Sequence, residues 1–289
     1  LDVGKRSFEI RIDRQNYMTE VPINQILCGN CNELLDTIQS ESIDLTITSP
    51  PYGNLRDYHG YVLNTNDLSM QLLRITKPGG IVVWVVGDET INGSESGESF
   101  KQALQFIQHG WLLHDTMIYA KSSFSYPSTK ESMRYHQQFE FMFIFSKGKP
   151  KTFNPIMDKL NAYKQGGGDC KRQKDGTLKR GKRSGTPLNK YGMRNNIWTY
   201  VTGGGHHSDF KRSSEHPATF PDQLAIDHIK SWSNKGDLIL DPMCGSGTTC
   251  AMAYKLGRNY IGIDISPDYC QLAKDKIKYE EKIKAGEIF

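Results

Sequence analysis

Leu238-Ile239-Leu240-Asp241-Pro242-Met243-Cys244-Gly245-Ser246-Gly247-Thr248-Thr249 reads as a strand, a glycine-bearing turn and the first residues of a helix. Glycine lets a backbone approach a ligand closely, and a helix N-terminus presents N–H groups that have no partner within the helix. Gly245-x-Gly247 is weak evidence by itself, because no third glycine follows at dinucleotide-fold spacing. The next strand-like run, Tyr260 to Ile265, strengthens it. Asp264 stands near its end, 19 residues after Gly245, where such α/β folds place an acid that accepts hydrogen bonds from ribose hydroxyls. The two features together predict ligand binding, the alternative being a glycine turn needed only for strand-to-helix packing.

The rest of the chain fits around this unit. Ile43 to Thr48 reads as a strand ending at Ser49-Pro50-Pro51, and Leu68 to Thr76 as a helix closed by Lys77-Pro78-Gly79-Gly80. Ile81 to Val86 has the continuous apolar character of a fully buried strand. A helix from Ser99 to His109 and strands from Leu112 to Ala120 and Phe139 to Ser146 follow. Later come a helix from Pro221 to Trp232, a strand from Asp237 to Leu240, a helix from Gly247 to Leu256 and a charged helix from Pro267. Strands alternating with helices of this length indicate a mainly parallel sheet covered on both faces. Between about 151 and 214, glycines at 166–168, 181, 185, 192 and 203–205 interrupt every periodicity, so long loops are expected there. The chain thus divides into segments 1–150, 151–214 and 215–289.

The 289 residues carry a net charge of +4, with 37% hydrophobic and 24% charged residues, an ordinary globular composition that excludes collagen, coiled coil and global disorder. That small net charge conceals an asymmetry. Asp158 to Arg212 holds 13 Lys/Arg against 4 Asp/Glu, a local charge of +9, and the remainder carries −5. A basic island in an acidic protein suits a polyanion; by charge alone it equally suits a solvated insertion. The longest strongly apolar run, Ile81 to Val86, is too short to cross a bilayer, and Leu1 to Arg6 lacks the apolar core of a signal peptide. Six cysteines in a chain of this size suggest a reducing cytoplasm, and the missing initiator Met suggests a processed chain. Cys28-x-x-Cys31 has no second pair at zinc-finger spacing, so it reads as buried thiols and no metal is assigned.

A second motif, Thr48-Ser49-Pro50-Pro51-Tyr52, lies at the carboxyl end of the Ile43–Thr48 strand. Consecutive prolines stiffen the turn and remove two N–H donors, leaving carbonyl oxygens free to accept. Ser49 adds a hydroxyl acceptor and Tyr52 an aromatic face. Such a set can stack a planar ring and pin its amino group. Taken alone it is also an ordinary Pro-Pro turn.

The two motifs in this order resemble the catalytic and cofactor motifs of the amino-methylating (N4-cytosine/N6-adenine) DNA methyltransferases, in the permuted order of their beta group. Glu215-His216-Pro217-Ala218-Thr219-Phe220-Pro221 resembles the group's segment that packs on the methionine end of S-adenosylmethionine. Asn195-Asn196-Ile197-Trp198 resembles the stretch closing its recognition region, and Phe145-Ser146-Lys147-Gly148 the end of its last core strand. The resemblance runs from about Gln25 to Ala273. It implies a circularly permuted, Rossmann-like α/β sheet that binds S-adenosyl-L-methionine, with a basic, loop-rich target-recognition insertion. Ser49, Pro50, Pro51 and Tyr52 would then be catalytic. Asp241, Pro242, Cys244, Gly245, Ser246, Gly247, Thr248 and Asp264 would bind the cofactor, with Phe220 and Pro221 covering it. Asn30 stands where many relatives carry an Asp near the adenine; it keeps hydrogen-bonding capacity and loses the charge.

The implied partner is double-stranded DNA, contacted by Lys171, Arg172, Lys179, Arg180, Lys182, Arg183 and Arg194, more often at phosphates than at bases. Serine at the first motif position is commoner in the cytosine-N4 enzymes and aspartate in the adenine-N6 ones, so Ser49 favours cytosine. The resemblance also places the chain in the prokaryotic cytoplasm, in a restriction–modification system whose nuclease is a separate chain. Three alternatives stay open: adenine-N6 methylation, a DNA-binding protein that keeps the fold without turnover, and methylation of RNA or of a protein glutamine.

Overall fold

β-Branched and aromatic runs build the centre of the molecule, because strands buried on both faces have no polar side to present. The computed structural model describes residues 21–51, 63–122, 133–162, 170–180, 189–201, 208–212 and 221–288. In chain order the strands are β1 (Gln25–Cys28), β2 (Ile43–Thr48), β3 (Thr76–Val86), β4 (Thr90–Ile91), β5 (Ser94–Glu95), β6 (Leu112–Lys121) and β7 (Phe139–Ser146). They continue with β8 (Lys159–Leu160), β9 (Cys170–Arg172), β10 (Leu178–Arg180), β11 (Tyr191–Gly192), β12 (Ile197–Tyr200), β13 (Leu238–Asp241) and β14 (Asn259–Asp264). The helices are α1 (Cys31–Thr37), α2 (Thr65–Ile75), α3 (Glu98–Gln108), α4 (Asp222–Trp232), α5 (Thr248–Lys255) and α6 (Pro267–Ala285).

Eight strands form one sheet in the order β1-β14-β13-β2-β3-β7-β6-β12. Helices α1 to α3 cover one face through Leu35, Leu72 and Phe106. Helices α4 to α6 cover the other through Leu224, Ala251 and Ala273. Trp84, Trp111 and Tyr119 lie in this core, as the apolar pattern implies; the Trp84 indole N–H donates to Gln102 Oε1 at 2.9 Å, so the ring is buried without an orphaned donor.

Two features depart from the sequence expectation. β7 runs antiparallel to both β3 and β6, so one end of the sheet is mixed rather than parallel. Lys77-Pro78-Gly79-Gly80, expected only to close a helix, belongs to β3. Gly79 N donates to Lys147 O at 2.6 Å and Lys147 N to Gly80 O at 3.1 Å, so a partner 68 residues later ties the segment to the sheet as a bulge, with Gly79 at a positive φ of 82° and the β2–β3 register shifted across it.

The insertion between β7 and β12 carries short two-stranded ribbons, β8–β11 and β9–β10, whose described side chains are mostly exposed. β12 then returns to pair with β6 in parallel. One of the sheet's two edge strands, β12, therefore lies within the 151–214 segment read as recognition region.

Candidate active site

β13 and β2 are neighbours, paired in parallel at Ile239↔Leu45 and Leu240↔Thr46. From β13 the chain passes through α5 to β14 on one side, and from β2 through α2 to β3 on the other. Such a reversal opens a crevice at the carboxyl ends of the two strands, where α/β sheets bind ligands. The glycine turn leaves β13 into this crevice, and Ser49-Pro50-Pro51 leaves β2 beside it.

A buried hydrogen bond joins the two motifs. Thr48 Oγ1 donates to Asp241 Oδ1 at 2.8 Å across 193 residues of chain, and Met243 N reaches the same oxygen at 3.2 Å. Thr249 Oγ1 ties the start of α5 back to Ile47 O at 3.3 Å. Asp241 is 2% exposed. Burial pushes its carboxyl up to about 6, against the opposing pull of the Thr48 and Thr249 hydroxyls and the Met243 N–H.

Asp264 organises the glycine turn. Its Oδ2 accepts from Gly245 N at 2.8 Å and its Oδ1 from Ser266 N at 2.9 Å. Burial raises this carboxyl too. Gly245 and Gly247 both adopt positive φ, 49° and 78°. A Cβ on Gly247 would stand 2.6 Å from Ala273 Cβ and 2.7 Å from its Cα, so only glycine lets the turn lie on α6. Pro242, Cys244, Ser246 and Thr248 are buried around it. Asn30 caps α1, accepting from Asn32 N at 3.0 Å. Gly29 N donates to Asp264 O at 2.9 Å, bringing Asn30 to the same edge of the sheet. Pro221, buried, caps α4. Tyr52 and Phe220 lie outside the described residues.

Among the described residues, no ion pair neutralises Asp241 or Asp264. A buried and a half-buried acid at one crevice suit a ligand that brings an ammonium group and ribose hydroxyls, as S-adenosylmethionine does. The same burial destabilises the apoprotein. With its carboxyl raised from 3.8 to about 6, Asp241 exerts its full cost above about pH 6 and none below about pH 4. A shift of roughly two units corresponds to about 3 kcal/mol. Asp241→Asn is therefore expected to stabilise the apoprotein by up to about 3 kcal/mol near pH 8, with the gain vanishing near pH 4. Denaturant melts of both proteins across that range read the difference; a gain independent of pH would contradict it.

Arg194 is held by acids of the protein itself. Its guanidinium is held by both oxygens of Asp158 and donates to Asp227 Oδ2 at 2.6 Å, with the Trp198 ring 5.2 Å away. Tyr200 donates to the same Asp227 oxygen at 2.8 Å. These ion pairs clamp the insertion to α4 and already engage the guanidinium within the protein. Arg172 and Lys179 are exposed on the β9–β10 ribbon. Lys171 and Arg180 occupy that ribbon's backbone. Lys182 and Arg183 lie outside the described residues. Of the Cys28-x-x-Cys31 pair, Cys31 is buried and Cys28 is exposed, against the expectation for Cys28.

Sequence reading missed Lys276. Its side chain is fully buried in α6, donating to Asp222 Oδ1 at 2.6 Å and Thr248 Oγ1 at 2.9 Å, and burial lowers its pKa. It thereby ties the first residues of α4 and α5 to α6. A lysine within a charged helix carries no local mark of burial.

The N6/N4 DNA methylase family profile matches residues 43–275. The orphan methyltransferase M.BamHII of Bacillus amyloliquefaciens is 50% identical over 240 residues, 82% of this chain and 89% of that protein. The PvuII DNA methyltransferase structure, described as cytosine-N4-specific, superposes with a TM-score of 0.65 at 20% identity, covering 92% of this chain and 91% of that one. A DNA modification methylase of Thermus thermophilus, solved with S-adenosyl-L-methionine, gives 0.59 at 22% identity, covering 89% and 95%. With the crevice, its paired acids and its glycine turn in a permuted Rossmann-like sheet, the chain belongs to the N6/N4 DNA methylases and is an S-adenosylmethionine-dependent DNA methyltransferase.

Proposed function

We propose that this enzyme methylates the exocyclic N4 amine of cytosine at a specific site in duplex DNA, after that base has left the helix. The observation that carries this reading is the placement of Ser49-Pro50-Pro51 one residue beyond the Thr48–Asp241 bond, with Ser49 half-buried and Pro50 buried. An exocyclic amine is a poor nucleophile because its lone pair is delocalised into the ring. Ser49 Oγ and the Pro50 carbonyl accept its two N–H bonds, turning the nitrogen towards tetrahedral geometry and aiming the lone pair at the donor. Tyr52 stacks on the base, which must be turned out because its amine is otherwise paired. S-Adenosylmethionine, when bound, supplies a methyl group activated by its sulfonium. Asp241, Asp264 and Asn30 orient it, with the 244–248 turn around its methionine part and Phe220 and Pro221 over it. Catalysis is then chiefly positioning and charge stabilisation. Serine rather than aspartate at position 49 supports cytosine over adenine. A restriction endonuclease acting at the same site would be a separate chain.

The decisive experiment incubates the enzyme with DNA from a methylation-free host, digests the DNA to nucleosides and identifies the product by mass spectrometry. N4-methylcytosine is expected. N6-methyladenine as the sole product overturns the base assignment, and no product on duplex DNA overturns the enzyme reading.

Arg172 and Lys179, exposed on their ribbon, are assigned to DNA phosphates. Each phosphate contact contributes about 0.9 to the slope of log affinity against log salt. Arg172→Ala with Lys179→Ala is expected to lower the measured slope by roughly two and to weaken all duplexes alike. An unchanged slope would remove the ribbon from the interface.

A further inference from the structure

The edge of the sheet beside the cofactor crevice carries sulfur chemistry that methyl transfer does not use. Cys28 ends β1 opposite Asp264 and is exposed, unlike Cys31, Cys244, Cys250 and Cys270. Cys270, buried near the start of α6, donates from Sγ to Asp264 O at 3.4 Å and to Leu27 O at 3.6 Å. Cys28 Sγ approaches Ile265 O at 4.0 Å. Consecutive carbonyls, Asp264 and Ile265, thus anchor the two sulfurs, and Cys270 also bonds the residue directly before Cys28. Burial, reinforced by the adjacent Cys28 thiol, holds the Cys270 thiol up at about 12. Cys270 therefore stays protonated next to the exposed sulfur. Three other cysteines are enclosed: Cys31 in α1, and Cys244 and Cys250 under the glycine turn.

We propose that Cys28 and Cys270 form an oxidative modification site, a thiol pair that peroxide converts into a disulfide at the rim of the cofactor crevice. Cys28, as thiolate, attacks one peroxide oxygen and becomes a sulfenic acid, while the O–O bond breaks and the departing hydroxide takes a proton to leave as water. The Cys270 sulfur then attacks the sulfenic sulfur. Its S–H proton goes to the expelled hydroxide, giving a second water. Two electrons pass from the sulfurs to the peroxide. Closing the sulfurs from contact to covalent distance draws the first turn of α6 towards the end of β1. Asp264 lies between them and holds both Ser266 N and Gly245 N, so the turn shifts and cofactor binding weakens. This second effect rests on the proposed role of Asp264 at the cofactor.

The test treats the reduced protein with hydrogen peroxide, then follows intact mass and S-adenosylmethionine binding by calorimetry. Loss of two hydrogens, about 2 Da, is expected, reversed by dithiothreitol. The loss should disappear in Cys28→Ser and in Cys270→Ser and persist in Cys31→Ser. Affinity should fall at least about fivefold on oxidation and return on reduction. No disulfide, or one that joins other cysteines or two chains, overturns the site. A Cys28–Cys270 disulfide with unchanged affinity overturns its effect on the cofactor. Failure of the reduced protein to bind S-adenosylmethionine would instead overturn the assignment of the crevice, a result separate from the mass reading.

Discussion

Ser49→Ala is expected to lower kcat on the order of 10²–10³-fold, the usual loss when one preorganised hydrogen bond to developing charge is removed. The amine becomes positive only as its nitrogen bonds the methyl carbon, so an acceptor at Ser49 Oγ acts mainly in the transition state. Affinity for S-adenosylmethionine and for DNA should stay close to that of the parent, because the turn, Asp264 and the basic ribbon are untouched. Single-turnover transfer of labelled methyl groups, with separate binding titrations, distinguishes the two effects. A loss of cofactor affinity as large as the loss of rate would assign Ser49 to binding instead.

Lys276→Met should destabilise the protein by about 3–5 kcal/mol, because removing one member of a buried pair leaves the other charge uncompensated. Asp222 would lose its cation, and Glu280, which is 3% exposed, would keep only Lys255 at 3.3 Å. Thr248 would also lose a donor at the first residue of α5. Thermal unfolding should begin well below that of the parent; a chain of this size loses roughly 2–4 °C per kcal/mol. Adding Asp222→Leu should recover much of the loss, since replacing both partners removes the stranded charge along with the bond. A single variant as stable as the parent would show that the pair contributes no net stabilisation.

What the sequence discloses follows the range of each interaction. The glycine turn and the Ser-Pro-Pro segment are legible because adjacent residues set their conformations, through positive φ at Gly245 and Gly247 and the fixed φ of proline. Most strands are legible from their apolar runs. The direction of β7 is not, because Phe139–Ser146 is apolar enough to be buried whichever way it runs. The extension of β3 is hidden for the opposite reason: Lys77-Pro78-Gly79-Gly80 has the composition of a turn and keeps a positive φ at Gly79, while a distant partner ties the resulting bulge into the sheet. At the site, Asp241 and Asp264 can be selected from the sequence, whereas the Thr48 hydroxyl as partner of Asp241 depends on the pairing of β2 with β13. Arg194 shows the converse. A run of basic residues suggests surface charge, yet Asp227 lies beyond the run and neutralises one member from inside.

The position of α6 has a consequence for how the chain can be cut and rejoined. It packs beside β14 and β1, with Cys270 Sγ bonded to Leu27 O, where a crossover helix between two parallel neighbours would lie. A linker from the end of α6 to the start of β1 would therefore complete an ordinary β-α-β step. New termini opened in the turn of the β9–β10 ribbon, at Lys174–Gly176, would leave every strand of the large sheet intact. Such a rearranged chain would place the glycine turn ahead of Ser49 in sequence while leaving their separation in space unchanged. The order in which the two motifs are written is thus a property of the backbone's continuity, and their partnership is a property of the sheet.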